Sequence, residues 1–286
     1  MDLKFKKMHG TGNDYVVVDG RDHDLDWGKL SLEMCQRRFG IGADGLLIVA
    51  PSDSAVIRMR MFNPDGSEAE MCGNGLRCFT KYVVEAGIVS LDNATFSIET
   101  AKRVVLSTPV IADGHVQGAR INMGHPLFSA SEIPIIRSTD EPEQGPILDS
   151  KLTVNGIELS LDYVSLGNPH AVCFLETPVD QFDLHRIGPM VENNEKFPAK
   201  INFHIANVST DGSIIMRSWE RGAGATWSCG SGACAVRVVA SLRNQMSTKG
   251  TIDVPGGTLR VHWDKNEGVF LEGPAMEVYQ GHWNFI

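Results

Sequence analysis

The run Cys229-Gly230-Ser231-Gly232-Ala233-Cys234-Ala235-Val236-Arg237-Val238-Val239-Ala240-Ser241-Leu242 decides how the chain is read. From Gly230 to Leu242 it is apolar on nearly every face, and Arg237 is its only charge. A helix with that composition has to be buried on all sides, so it is predicted to lie inside a sheet structure, directly after a cysteine. The same design stands earlier in the chain. Cys72 precedes Gly73-Asn74-Gly75 and a helical spacing of Leu76, Phe79 and Val83 that stops at Gly87. Aligning the two cysteines, 157 positions apart, also places Met59 on Met216, Arg60 on Arg217, Phe62 on Trp219, Gly73 on Gly230 and Gly75 on Gly232. An offset of 155 puts Gly12-Asn13 on Gly167-Asn168, and 156 puts Phe96-Ser97-Ile98 on Ile252-Asp253-Val254. A strand, a glycine-rich loop, a cysteine and a buried helix therefore occur twice, which is the signature of an internal repeat.

Outward from these helices the chain reads as many short strands. Residues 56–62, 96–100, 104–107, 171–175, 214–219 and 259–263 carry the alternation or β-branched content of strands. A peripheral helix is predicted from Gly28 to Arg38, with Leu30, Met34 and Cys35 on one face and Gly40 ending it. The expected fold is α/β of the α+β kind: two pseudo-symmetric halves, each a curled, mostly antiparallel sheet around a central helix, with the active site in the cleft between them. Pro126, Pro134, Pro142 and Pro146, with Asp140, Glu141 and Glu143, make 125–150 the loosest stretch. The halves are accordingly placed at 1–126 and 127–274.

The 286 residues are 42% hydrophobic and 21% charged, the composition of a globular protein with room for sizeable cores. A net charge of -9 argues against nucleic acid and anionic membranes as partners, since both need clustered positive charge. No apolar segment follows the N-terminal lysines, so neither a secretory signal nor a span is expected. Six cysteines in such a chain read as reduced thiols of a cytoplasmic protein. A small-molecule substrate is the remaining expectation.

A cysteine at the start of a buried helix meets unpaired backbone N–H groups and the positive end of the helix dipole. That position is expected to lower a thiol pKa and to bind a carboxylate. If the two halves face each other, two thiols confront one ligand. Inverting a stereocentre needs a base on one face and an acid on the other, and a thiolate with a thiol supplies both. The N–H groups of Gly73-Asn74 and Gly230-Ser231 would hold the α-carboxylate and the charge that develops as Cα–H breaks. This chemistry calls for no metal and no other cofactor.

Six ordered motifs resemble the diaminopimelate epimerase family over nearly the full length. They are residues 7–14 (Lys-Met-His-Gly-Thr-Gly-Asn-Asp), the Asn63 to Cys78 loop, Gly167-Asn168-Pro169-His170, Ile201-Asn202, Glu220 to Gly224, and Cys229 to Cys234. The resemblance implies that Cys72 and Cys229 are the acid/base pair, supported by His170 and Glu220. It implies that Asn13, Asn63, Asn74, Asn168, Asn202, Glu220, Arg221 and Ser231 line an amino-acid substrate, LL- or meso-2,6-diaminopimelate, in lysine biosynthesis. It further implies that the tail, 275–286, returns to the first half; a homodimer is compatible with the sequence, which fixes no oligomeric state. Gly45 stands where many members have Gln, Ala225-Thr226-Trp227-Ser228 where many have Glu-Thr-Leu-Ala, and His204 where an acid is more usual.

Blander readings stand beside these. The two cysteines could form a structural disulfide, or join Cys78 and Cys234 around zinc, although C-x5-C and C-x4-C inside helices are poor zinc spacings. Cys35, Cys78, Cys173 and Cys234 read as core thiols. Asn13 and Asn168 alone would be turn residues, His170 a loop residue, and Arg221 an ion-pair partner of Glu220. Rival functions are a two-thiol racemase or isomerase acting on histidine- or proline-type compounds, and a non-catalytic metal- or ligand-binding protein.

Overall fold

The computed structural model describes residues 2–90, 94–209, 211–244 and 246–284. The chain divides into two compact units, Met1–Asn122 with Glu272–Ile286, and Met123–Leu271.

In the first unit, β1 (Asp2–Gly10) and β2 (Asn13–Asp19) form a hairpin, followed by α1 (Trp27–Met34). Then β3 (Gly45–Ala50) lies parallel to β2, and β4 (Ile57–Phe62) antiparallel to β3. The short β5 (Glu68–Ala69) folds back on β4 and leads into α2 (Gly73–Glu85). After it, β6 (Phe96–Glu99) runs parallel to β4 and continues antiparallel into β7 (Val104–Ala112) and β8 (His115–Gly124).

The second unit opens with β9 (Ile147–Val154) and then repeats this order. Strands β10 (Ile157–Ser165) and β11 (Pro169–Phe174) are antiparallel, α3 (Leu184–Glu192) follows, and β12 (Asn202–Val208) is parallel to β11. Next come β13 (Ile214–Glu220), β14 (Gly224–Thr226) and α4 (Gly230–Leu242). Strand β15 (Lys249–Val254) is parallel to β13 and antiparallel to β16 (Gly257–Asp264), ahead of β17 (Gly268–Pro274). The last strand, β18 (Met276–Asn284), pairs antiparallel with β1, from Asp2 opposite Asn284 to His9 opposite Met276. Pairing directions thus match between β1–β7 of the first unit and β10–β16 of the second. Among the described residues no helix is long and apolar enough to cross a membrane.

The two repeated helices are enclosed as their composition demands. α2 packs on β1, β2, β3, β4 and β7, and α4 on β10, β11, β12, β15 and β16. Every residue from Ala233 to Ala240 is wholly buried. α2 ends where Gly87 adopts a left-handed φ of 69° and its N–H reaches the Val84 carbonyl, a glycine-terminated helix end. At the far end of α4, Arg243 grips the fully buried Asp162 of β10 through two bonds of 2.6 and 2.7 Å. A cation there also suits the negative end of the helix.

Two expectations shift. α1 closes at Met34 rather than Arg38, because Ile41 and Gly42 fold back to donate to the Met34 carbonyl. A Cβ on Gly40 would lie 2.2 Å from the Glu33 carbonyl oxygen, so the turn requires glycine. The second shift concerns the repeat. Ile57 faces Ile98 and Ile214 faces Ile252, so Ile98 corresponds to Ile252 at an offset of 154, not 156. A slip of two residues keeps the same side chains on the same face, which is why the pattern alone does not resolve it.

Arg77 is a fully buried cation within α2 that ties three segments together. Its guanidinium donates to Asn74 Oδ1 (2.8 Å), Thr11 Oγ1 (3.1 Å) and the Pro274 carbonyl (3.1 Å). Thr11 and Gly12 both hold left-handed φ, 51° and 85°, in the two-residue turn between β1 and β2. A β-branched residue is strained there, and the bond from Arg77 helps to hold it. Arg77→Met keeps the bulk but removes the donors, and is expected to cost ~3 kcal/mol. Calorimetry should show a clearly lowered melting temperature; an unchanged one would contradict this account.

Candidate active site

All six cysteines are free thiols, Cys72 half-buried and the others buried. Cys72 and Cys229 occupy the same place in their units, the cap residue just ahead of a buried helix, each with extended backbone (φ -139° and -107°). The first internal helix bonds are Leu76 N–H to the Cys72 carbonyl and Ala233 N–H to the Cys229 carbonyl, both 2.9 Å. The N–H groups of Gly73-Asn74 and Gly230-Ser231 lie ahead of those bonds, where a helix can receive an anion.

Around Cys72 the first unit assembles a compact polar cluster. Tyr15, wholly buried on β2, brings its hydroxyl within 3.0 Å of Cys72 Sγ and donates to Asn13 Oδ1. Asn13 Oδ1 also accepts from Asn74 Nδ2 at 3.2 Å and lies 3.9 Å from the sulfur. The other end of the Asn13 amide donates to Asp44 Oδ2 (2.7 Å), which fixes its orientation. Asp44 is held in turn by Arg37 (2.6 Å). Arg37 also binds Asp14; although burial works to raise Asp14, its bonds from Arg37 and Lys7 hold it down to about 2. Burial, with Cys72 beside it, pushes the Tyr15 hydroxyl well above its ordinary pKa, so it serves as a proton donor and not as a phenolate.

Of the residues predicted to line substrate here, Asn13 and Asn74 meet at Cys72, but Asn74 is buried with its amide held between Asn13 and Arg77. Asn63 is tied elsewhere, donating to Ser67 Oγ (3.0 Å) while its carbonyl accepts from Ser31.

The second unit builds a different environment for Cys229. Only 1% exposed, its sulfur accepts from Gly232 N–H at 3.4 Å and lies 3.8 Å from Ser231 Oγ. Burial, and then the neighbouring Glu220 carboxylate, push this thiol well above its ordinary pKa. That reverses the lowering expected from a helix N-terminus: in a site this dry, desolvation outweighs the dipole. Glu220 itself accepts from Thr226 Oγ1.

Asn168 Nδ2 donates to Ser231 Oγ (3.3 Å), while Asn168 Oδ1 lies 2.9 Å from His170 Nε2. His170 Nδ1 and His204 Nε2 are 2.9 Å apart, and His204 Nδ1 is 2.9 Å from Ser218 Oγ. Asn202 donates to the Pro169 carbonyl and accepts from Arg221 N–H, so it braces the loop before His170. The exposed Arg221 guanidinium donates to the Ala199 carbonyl. Ala225, Thr226 and Trp227 help to line a cavity of 330 Å³ with Leu184 and His185 of α3.

Tyr15, Asp44 and Ser218 carry no sequence signal beyond strand and loop composition. His204 is visible only as a departure from the family pattern.

Two expectations follow. Tyr15→Phe removes the hydroxyl that lies 3.0 Å from Cys72 Sγ and can turn from Asn13 toward a thiolate, so alkylation of Cys72 by iodoacetamide should slow about threefold to tenfold, the worth of one hydrogen bond to a charged group; mass mapping at matched pH reads this, and an unaltered rate would refute it. The second concerns acid. Burial lowers His204 to about 3 and His170 well below its ordinary value. In the unfolded chain both take protons near 6.5. Between those values the unfolded state binds more protons, so stability is intact above pH 6.5 and drains away as pH falls toward 3. His204 alone should account for roughly 1.4 kcal/mol per pH unit in that window. Urea titrations from pH 7 to 4 should show the slope, flattened in His204→Gln.

A family model described as diaminopimelate epimerase matches residues 5–128 and 163–278. A diaminopimelate epimerase of Halothermothrix orenii is 42% identical over 285 residues, covering 98% of each chain. One of Methanococcus maripaludis is 40% identical over 281 residues, covering 98% of this chain and 99% of its own. Among solved structures, a Bacillus anthracis phenazine biosynthesis protein of the PhzF family superposes with a TM-score of 0.68 over the full length of both chains at 16% identity. A hydroxyproline epimerase from Agrobacterium vitis, with trans-4-hydroxy-L-proline bound, gives 0.68 at 15% identity, covering 99% of this chain and 91% of its own. These two show a shared fold, whereas the family match and the 40% relatives span motifs and length alike: the chain belongs to the diaminopimelate epimerase family.

Proposed function

We propose that this protein interconverts LL- and meso-2,6-diaminopimelate without a cofactor, Cys72 and Cys229 acting as the acid/base pair. The observation that carries the reading is the repeated placement of a cysteine as the cap of a buried helix, in a chain about 40% identical to diaminopimelate epimerases along 98% of its length.

One thiolate takes the α-proton and leaves a carbanion-like centre, and the opposite thiol returns a proton to invert it. No atom is gained or lost apart from the exchanged proton. The N–H groups at the starts of α2 and α4 receive the substrate carboxylate, whose oxygens take up the charge that develops. Since burial and Glu220 favour the protonated form of Cys229, the free enzyme holds its proton there, and Cys72 acts first as base. The reverse direction exchanges the roles. Asn13, Asn168 and Arg221 are proposed to bind the polar groups of the substrate. The set of six free thiols and the net charge of -9 favour a cytoplasmic enzyme acting on a small amino acid.

Reduced protein given LL-diaminopimelate in D2O should place deuterium at one α-carbon only, with the meso product appearing in step. Cys72→Ala and Cys229→Ala should each lower kcat at least about a hundredfold, the usual worth of a general acid or base. Turnover unchanged in either variant, read by NMR of the α-protons, would end the proposal.

A further inference from the structure

We infer that His204 and Ser218, which hydrogen-bond to neither thiol, are positioning residues for Cys229: they hold His170 in the tautomer that fixes the Asn168 amide, and so leave the Ser231 hydroxyl able to donate to the Cys229 sulfur. The inference rests on the functional reading above for its catalytic consequence, but the chain itself is contained within the second unit.

The direction follows from valence. Asn168 Nδ2 can only donate, and it points at Ser231 Oγ (3.3 Å), so the Asn168 Oδ1 that faces His170 Nε2 (2.9 Å) can only accept. His170 must therefore carry its proton on Nε2. A neutral imidazole has one N–H, which leaves His170 Nδ1 as an acceptor and makes His204 Nε2 the donor across 2.9 Å. The same rule makes His204 Nδ1 the acceptor, and Ser218 Oγ donates to it at 2.9 Å. At the other end, Ser231 Oγ receives the Asn168 proton and lies 3.8 Å from Cys229 Sγ, so its own proton is free to turn toward that sulfur once the sulfur is charged. His170, His204, Ser218 and Cys229 are buried, while Asn168 and Ser231, which link them, are half-buried.

His204 is also fitted to the helix that presents the thiol. A Cβ on Gly232 would lie 2.3 Å from His204 Cε1, so the first turn of α4 packs directly on the imidazole. The chain therefore leaves a hydroxyl donor ready when Cys229 gives up its proton beside Glu220, in surroundings that otherwise disfavour a thiolate. Because the donor matters once charge appears on sulfur, the effect falls on the chemical step more than on substrate binding.

The test has an arm that does not need turnover. Nitrogen-15 spectra of histidine-labelled protein, assigned through His170→Gln and His204→Gln, should show both imidazoles neutral with the proton on Nε2. A proton on His170 Nδ1, or a charged His170 ring at pH 7, would overturn the inference. In turnover, His204→Leu and Ser218→Ala should each lower kcat, His204→Leu ~tenfold as for one hydrogen bond to a charged group, with KM within about twofold. His204→Gln, whose amide can still donate to His170 Nδ1 and accept from Ser218, should recover most of the loss. Wild-type kcat in folded His204→Leu, or a loss in His204→Gln equal to that in His204→Leu, would overturn the inference equally. If His204→Leu does not fold, the tautomers of the unaltered protein decide the matter. If the unaltered protein does not turn over diaminopimelate, the functional reading fails, and the same spectra still decide the chain.

Discussion

A helix that begins inside a protein must find partners for its first N–H groups, and here each unit is organised around that requirement. α2 and α4 start in buried surroundings, and in both the cap is a cysteine, a weak hydrogen-bonding group that cannot satisfy several amides. Serine or aspartate would cap better. A cysteine there trades local stability for a helix start able to receive an external anion, with a sulfur beside it. The glycines that follow are explained by the same crowding. At Gly232 a side chain would strike His204, and at Gly75 it would lie 3.3 Å from Leu47 and 3.6 Å from the Cys72 Cβ.

Enclosing such helix starts demands firm walls. The burial of α4 from Ala233 to Ala240, apolar except for Arg237, supplies part of the cohesion. Buried ions supply definition: Arg77 joins the start of α2 to the β1–β2 turn and to Pro274, and Arg243 joins the end of α4 to Asp162. Burial acts to raise the Asp162 carboxyl, while the two bonds from Arg243 work against it. A buried pair of this kind is weak evidence of net stabilisation. Its value lies in fixing where the helix end can sit.

The sequence is most legible where a single requirement dominates. Gly230–Leu242 is recovered to the residue, because an all-round apolar run flanked by glycine has no competing reading. The doubled cysteine-helix pattern likewise points to the matched pairing order of the two units. Registers are harder. The span from Cys229 to Ile252 is three residues shorter than that from Cys72 to Ile98, a change placed between helix and strand where no periodicity records it. α1 ends early because backbone carbonyls, not side chains, attract the returning turn. Tyr15 and His204 sit in β2 and β12 among buried apolar residues, so their residue types blend with core packing. Only the folded structure shows that a hydroxyl reaches one thiol and that the His204 imidazole meets His170.

That difference between the two thiols is the most informative part of the repeat. Asn13 and Asn168 occupy equivalent places after left-handed glycines, Gly12 and Gly167, yet their amides face opposite ways. Asp44 takes the Nδ2 of Asn13 and leaves Oδ1, an acceptor, toward Tyr15 and Cys72. His170 faces the Oδ1 of Asn168 and leaves Nδ2, a donor, toward Ser231 and so toward Cys229. An acceptor near a sulfur favours its thiol form, while a donor near it favours the thiolate. Two asparagines at equivalent places thus turn opposite ends of their amides inward, beside a tyrosine hydroxyl in one unit and a serine hydroxyl in the other, and the choice is made by the carboxylate or imidazole on the far side of each amide.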